Sequence, residues 1–201
     1  MSLRLLTLVA VVAYPFVVHI SVLQGCLAPP AVYLSMLLFS FALINIVHKH
    51  LILAVTALII FGIIVTLIIL SKENWVIYSV PVVIQLSLAY AFGHTLFHGR
   101  VALVTQIATK MRGQELDARA ITYTRAVTWI WTVLFIGIAI ECVLLSNFAS
   151  HKTWSLFANL LNYLIIIAMF VVEYLVRIKF LHHLKHDNFK QFMLRLFGNN
   201  Y

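Results

Sequence analysis

Across 201 residues the chain carries 63% hydrophobic and only 10% charged side chains, an apolar share far above that of soluble domains. That balance excludes a soluble domain, and with no linker, low-complexity run or internal repeat it describes one all-α polytopic membrane domain over 1–201. The formal net charge of +8 is then a handle on membrane topology and anionic headgroups rather than on nucleic acid.

A helix must run about 17 to 25 apolar residues to cross a bilayer, and lipid satisfies no loose backbone, so the apolar stretches read as helical spans. Six are predicted, at about 3–23, 31–47, 51–70, 75–92, 126–146 and 154–176. The first holds Pro15 and His19 and ends at Leu23, the first residue of Leu23-Gln24-Gly25-Cys26. With Arg4 ahead of it, that stretch also fits a bacterial lipoprotein signal with Cys26 as the lipidated residue, against which Gln24 is an unusual neighbour. Pro29 and Pro30 suit the start of the second span, where the missing N–H is not needed. Asn45 in the second span and Gln85 in the fourth, beside the interior Pro81, read as packing contacts.

After the fourth span comes GHTLFHGR, residues 93–100. His94 and His98 are four apart, one helical turn, which suits either a chelating pair or headgroup-level anchors. In VALVTQIATKM, Val101, Val104, Ile107, Ala108 and Met111 recur at helical spacing, with Thr105, Gln106, Thr109 and Lys110 between them. This predicts a short cytoplasmic interfacial helix. Gly113 should end it, and Glu115 and Asp117 should start the next segment, ARAITYTR, running into the fifth span. Beyond the sixth span, Phe180, Leu181, Leu184, Phe189, Phe192, Met193, Leu196 and Phe197 alternate with His182, His183, Lys185, His186, Lys190 and Arg195, a basic amphipathic tail suited to the membrane surface.

Of the 14 basic residues, only Lys72 and Lys152 fall in one set of loops. The positive-inside rule therefore puts both termini in the cytoplasm. Trp75 and Trp154 then mark the outer boundary, and Trp129 and Trp131 the inner one. Cys26 and Cys142 are too few for a zinc site, and no metal or cofactor is expected.

Polar groups inside a span are costly, so they should face partners or a cavity. Glu141 in the fifth span has Asn159 and Asn162 of the sixth and His19 of the first at matching depth. Either an interhelical network or a proton or substrate path accounts for the set. Glu173 precedes Arg177 by four residues, the favourable order for an ion pair. Arg100 and Arg125 emerge at the same level, so Arg100, Arg125, Glu173 and Arg177 form a candidate anionic-ligand set, with His94 and His98 as candidate catalytic bases beside it.

Three stretches, FGHTLFHGR with VALVTQIAT, ITYTRAVTWIWTVLF and WSLFANLLNYLIIIAMFVVEYLVR, together resemble a family of uncharacterised bacterial inner-membrane proteins. That family is associated with the acyl-carrier, ketosynthase and acyltransferase genes of aryl-polyene or xanthomonadin-type clusters. The likeness covers residues 92–177. It implies a setting in which an acyl chain is built in the cytoplasm, attached to lipid and moved outward, and it singles out Gly93, Gly99, Arg100, Thr124, Arg125, Trp129, Asn159, Asn162, Glu173 and Arg177. The expectation is an accessory or scaffold component that contacts membrane lipids and cytoplasmic lipid or polyketide synthesis enzymes. The alternatives are an enzyme acting on a lipid or acyl thioester and a small transporter using Glu141. Neither a nucleophile elbow, an acyltransferase box, a P-loop nor a metal motif is present in the sequence.

Overall fold

The computed structural model describes residues 3–26, 28–70, 73–112 and 116–180. The tail beyond Phe180, with His182 and His186, lies outside the described residues, as do Gly113 and Glu115. Every described element is helical, and no strand occurs among the described residues. In chain order they are α1 (Leu3–Leu23), α2 (Ala28–Val47), α3 (Leu51–Ile69), α4 (Glu73–Gly93), a 3-10 turn (His94–Leu96), α5 (Leu103–Arg112), α6 (Ala118–Phe148), α7 (His151–Leu156), a π turn (Phe157–Leu161) and α8 (Asn162–Phe180).

Among the described residues, five stretches are long and apolar enough to cross a membrane: α2, α3, Trp75–Leu96, α6 and His151–Lys179. The chain is thus an all-α polytopic membrane protein, and the predicted first span corresponds to α1, of which the described apolar stretch is Val12–Leu23. Along the spans large apolar side chains stay exposed, as lipid requires: Ile52 at 83% and Ile69 at 76% would be untenable in water.

The chain divides into two compact units, Met1–Ile84 with Ile138–Tyr163, and Gln85–Gly137 with Leu164–Tyr201. In the first, α2 packs along α3 and α1 through small residues: Ala31, Ala42, Ala54 and Ala57 are all buried. Lipid tails are as apolar as leucine, so close backbone approach over small side chains is what holds such helices together. Phe39 meets Phe61 at 5.5 Å, and Tyr33 donates to the Ala10 carbonyl at 2.8 Å. α1 packs on α7 and the π turn.

In the second unit the core is Ala89, Val127, Trp131 and Phe135, with Phe92, Val104, Tyr123, Ile166 and Met169 around it. Trp131 is buried against Phe92, Phe135 and Phe170. It is a core residue here and not the boundary anchor its sequence position suggests. Trp154 is likewise buried, in the first unit, whereas Trp75 and Trp129 are exposed. α6 joins the predicted ARAITYTR segment to the fifth span, and Asp117 starts it: the Asp117 carboxylate accepts from Ala120 N at 2.8 Å.

Candidate functional site

The base of the second unit is organised by threonines. α5 begins at Leu103, and its first N–H groups have no partner within the helix. Thr95 Oγ1 accepts from Leu103 N at 2.9 Å, and Thr128 Oγ1 accepts from Val104 N at 3.3 Å, so two other elements cap this helix. One turn on, the hydroxyls of Thr105 and Thr124 meet at 2.7 Å, both buried. Thr124, Thr128 and Thr132 stand four apart on α6, and each donates to the carbonyl one turn back. Arg125 Nη2 donates to the Leu96 carbonyl at 2.6 Å, closing the turn that leads into α5.

This changes the predicted face of the interfacial helix. Thr105, expected on the polar side, is buried, while Ile107, expected on the apolar side that an interfacial helix turns to lipid, is 42% exposed. Where the surroundings are apolar, a threonine gains more by pairing inward than an isoleucine does by packing.

The two histidines of GHTLFHGR do not share a helical face. α4 stops at Gly93, His94 begins the 3-10 turn, Phe97 is extended, and His98 sits at φ 58 followed by Gly99 at φ 68. His94 Nδ1 bonds the Tyr90 carbonyl at 2.9 Å and its ring stacks on Tyr90 at 5.2 Å, while His98 is exposed. Among the described residues no three His, Cys, Asp or Glu side chains come together as a metal site.

Of the four anionic-ligand candidates, Glu173 and Arg177 pair with each other. Arg177 Nε lies 3.8 Å from Glu173 Oε1 and its guanidinium is 5.5 Å from the Tyr174 ring centroid. Tyr123 donates to the Glu173 carbonyl at 3.2 Å and to its Oε1 at 3.3 Å. Arg125 is held by Leu96, and the Arg100 side chain is exposed. What gathers at this end of the unit is a surface: Phe97 against Trp129 at 5.8 Å, exposed Val101, Ile107 and Ile121, and exposed Arg100, Lys110, Arg119 and Arg125.

The first unit holds a second polar constellation, along the seam between α1 and the segment from α7 to α8. His19 Nδ1 is 3.0 Å from Ser155 Oγ, and Asn159 Nδ2 reaches Ser155 O at 3.2 Å and Oγ at 3.3 Å. One turn further, Asn162 Nδ2 donates to Cys142 Sγ at 3.7 Å, and Glu141 has Asn162 as its hydrogen-bonding neighbour. The predicted set of Glu141, Asn159, Asn162 and His19 thus separates into two levels, with Glu141 on Asn162 and His19 on Asn159 through Ser155. Neither Ser155 nor the π turn was marked by the sequence. Cys26 and Cys142 are free thiols, the first exposed and the second buried. Outside the seam, Asn45 Nδ2 is satisfied by the Phe41 carbonyl at 2.8 Å.

Comparison with protein-family models, with curated proteins and with solved structures finds no match to this chain.

Proposed function

We propose that this chain is an accessory, multi-pass component of a bacterial inner membrane, with both termini cytoplasmic, that holds an acyl-chain lipid for the enzymes that make or export it. The observation that carries this reading is the docking of α5: side-chain hydroxyls from Thr95, Thr128 and Thr124 lock it to the rest of its unit. A locked interfacial helix beside exposed Phe97, Val101, Ile107 and Trp129, interleaved with Arg100, Lys110 and Arg119, suits acyl chains and anionic headgroups together. The resemblance of residues 92–177 to proteins of aryl-polyene-type clusters supports the same assignment, with cytoplasmic lipid or polyketide synthesis enzymes as partners.

Native mass spectrometry of the protein taken gently from its own membrane tests it. A discrete acyl-lipid adduct should be retained by the natural sequence and lost when Arg100, Lys110 and Arg119 are replaced by Gln. An adduct unchanged by the triple replacement overturns the reading.

A second reading, passage of a proton or small polar solute along the α1 seam, is favoured by a different observation: Asn162 is buried with its Oδ1 unpartnered. In proteoliposomes a Glu141→Gln variant should lose flux reported by an entrapped pH dye, and equal flux rejects it.

A further inference from the structure

Ahead of α5 the chain makes a tight turn with an arginine on either side of it. Phe97 is extended, His98 and Gly99 have φ of 58 and 68, and Arg100 N closes the turn on the Phe97 carbonyl at 3.3 Å. Two consecutive positive φ values under such a bond mark a type I′ turn, whose first and fourth Cα atoms lie within about 7 Å. Arg100 therefore emerges beside Phe97. Against Phe97 stands Trp129, ring centroids 5.8 Å apart and planes at 78°. One helical turn before Trp129 on α6 is Arg125, whose Nη2 donates to the Leu96 carbonyl at 2.6 Å. An exposed aromatic pair thus stands between two exposed arginines, all within the second unit.

A guanidinium carries five N–H donors, four of which form two parallel-donor edges that share Nη2. The Leu96 carbonyl takes one Nη2 hydrogen. Whichever one it takes, a whole edge of two donors remains, Nε with Nη2 or Nη1 with Nη2. The bond to Leu96 also fixes the head in place before a ligand arrives, which lowers the ordering cost of binding. Arg177 is spent on Glu173, but among the described residues neither Arg100 nor Arg125 has a carboxylate partner. Residues 93–112 and 118–137 contain no Asp or Glu at all.

The number of donors narrows the anion. A carboxylate or a phosphodiester offers two free oxygens and a single negative charge, which the Arg125 edge alone would consume. A phosphomonoester offers three, with a charge of about −1.5 to −2 at pH 7. Two of its oxygens meet the Arg125 edge and the third is left for Arg100. Phe97 and Trp129, exposed between the arginines, then cover the glycerol and the first methylenes, the depth at which interfacial aromatics sit.

We propose that Arg100 and Arg125, on either side of the Phe97–Trp129 pair, form a binding site for the phosphomonoester headgroup of a phosphatidic-acid-type lipid. This rests on the lipid-holding reading of the same surface and names the headgroup class it takes.

The full chain is reconstituted in phosphatidylcholine nanodiscs containing equal small fractions of phosphatidic acid and phosphatidylglycerol, and native mass spectrometry counts the lipids that stay on the protein. Phosphatidic acid should be retained about tenfold over phosphatidylglycerol, the ratio expected for one further charge-assisted bond. Arg125→Lys keeps the charge and a donor for Leu96 but has no two-donor edge, so it should bring the ratio near parity. Arg100→Gln should do the same, and because Arg100 is exposed it remains informative if Arg125→Lys disturbs the turn. Equal retention of the two lipids by the natural sequence, or a preference that survives both substitutions, overturns the site. Displacement of phosphatidic acid by the same concentration of glycerol 3-phosphate would assign the site to a soluble phosphomonoester and overturn the lipid source. Failure here, while replacing Arg100, Lys110 and Arg119 still strips the adduct carried from the protein's own membrane, would remove the headgroup class alone. Phosphatidic acid preference in nanodiscs with no acyl-lipid adduct from that membrane would remove the holding function alone.

Discussion

Thr105 and Thr124 bring their hydroxyls to 2.7 Å across the contact between α5 and α6, both side chains buried. Thr124 Oγ1 also reaches the Ala120 and Ile121 carbonyls, at 2.9 and 3.1 Å, which consumes its proton. Thr105 is then the donor of the pair, and the two partners are not equivalent. Thr124→Val leaves the Thr105 hydroxyl buried without its acceptor and should cost about 1–3 kcal/mol, whereas Thr105→Val leaves Thr124 satisfied by backbone and should cost less. The apparent Tm in detergent should fall by several degrees for Thr124→Val, and the double variant should recover part of the loss. Equal losses in the two single variants would contradict the assigned donor.

Arg125 holds the turn that delivers the chain into α5, through Nη2 on the Leu96 carbonyl. Arg125→Gln shortens the side chain and removes the charge-assisted bond, which releases the segment between the 3-10 turn and α5 while the α6 core stays packed. Hydrogen exchange should show it: amides at 97–104 exchange about tenfold faster, with those of 127–135 unchanged. Uniform acceleration across both segments would mean that Arg125 supports the whole unit and not this turn.

Much of the fold was legible because hydropathy sets span length directly: α2, α3 and α4 begin and end within a few residues of the apolar stretches, and α5 follows the periodicity of Val104, Ile107, Ala108 and Met111. Other features were not legible for physical reasons. In GHTLFHGR nothing in the composition announces the 3-10 turn at His94–Leu96 and the extended Phe97 that take the two histidines off a common helical face. The π turn at Phe157–Leu161 is a change of hydrogen-bond register, invisible in FANLL. Ser155 was missed because a lone serine in an apolar run carries no pattern, and only its placement opposite His19 gives it meaning. The threonine ladder is a different case: Thr124, Thr128 and Thr132 recur at a period of four, a signal present in the letters that hydropathy alone passes over.

The second histidine of GHTLFHGR stands where the backbone disfavours most side chains. His98 has φ 58 and Gly99 has φ 68. A Cβ on Gly99 meets nothing within 4 Å, so any penalty there is purely conformational. Gly99→Ala should therefore destabilise by about 1 kcal/mol, and His98→Gly should be neutral or slightly stabilising. The apparent Tm of both variants checks this. A marked loss for His98→Gly would show that the imidazole contributes to stability beyond its backbone geometry.

Gly93 ends α4 against Thr132 of α6, and a Cβ there would stand 3.1 Å from Thr132 Cγ2. Alanine would normally be favoured over glycine near a helix end. Here the neighbour decides the sign. Thr132 is buried, and its hydroxyl is held on the Thr128 carbonyl at 2.8 Å, so it cannot rotate away without giving up that bond. Gly93→Ala should lower the apparent Tm, and Gly93→Val should lower it further. Thr132→Ser removes the offending methyl and keeps the hydroxyl, so Gly93→Ala with Thr132→Ser should recover most of the stability and gain the alanine's helix preference. Failure of the serine to rescue would show that the close approach involves the two backbones rather than this methyl.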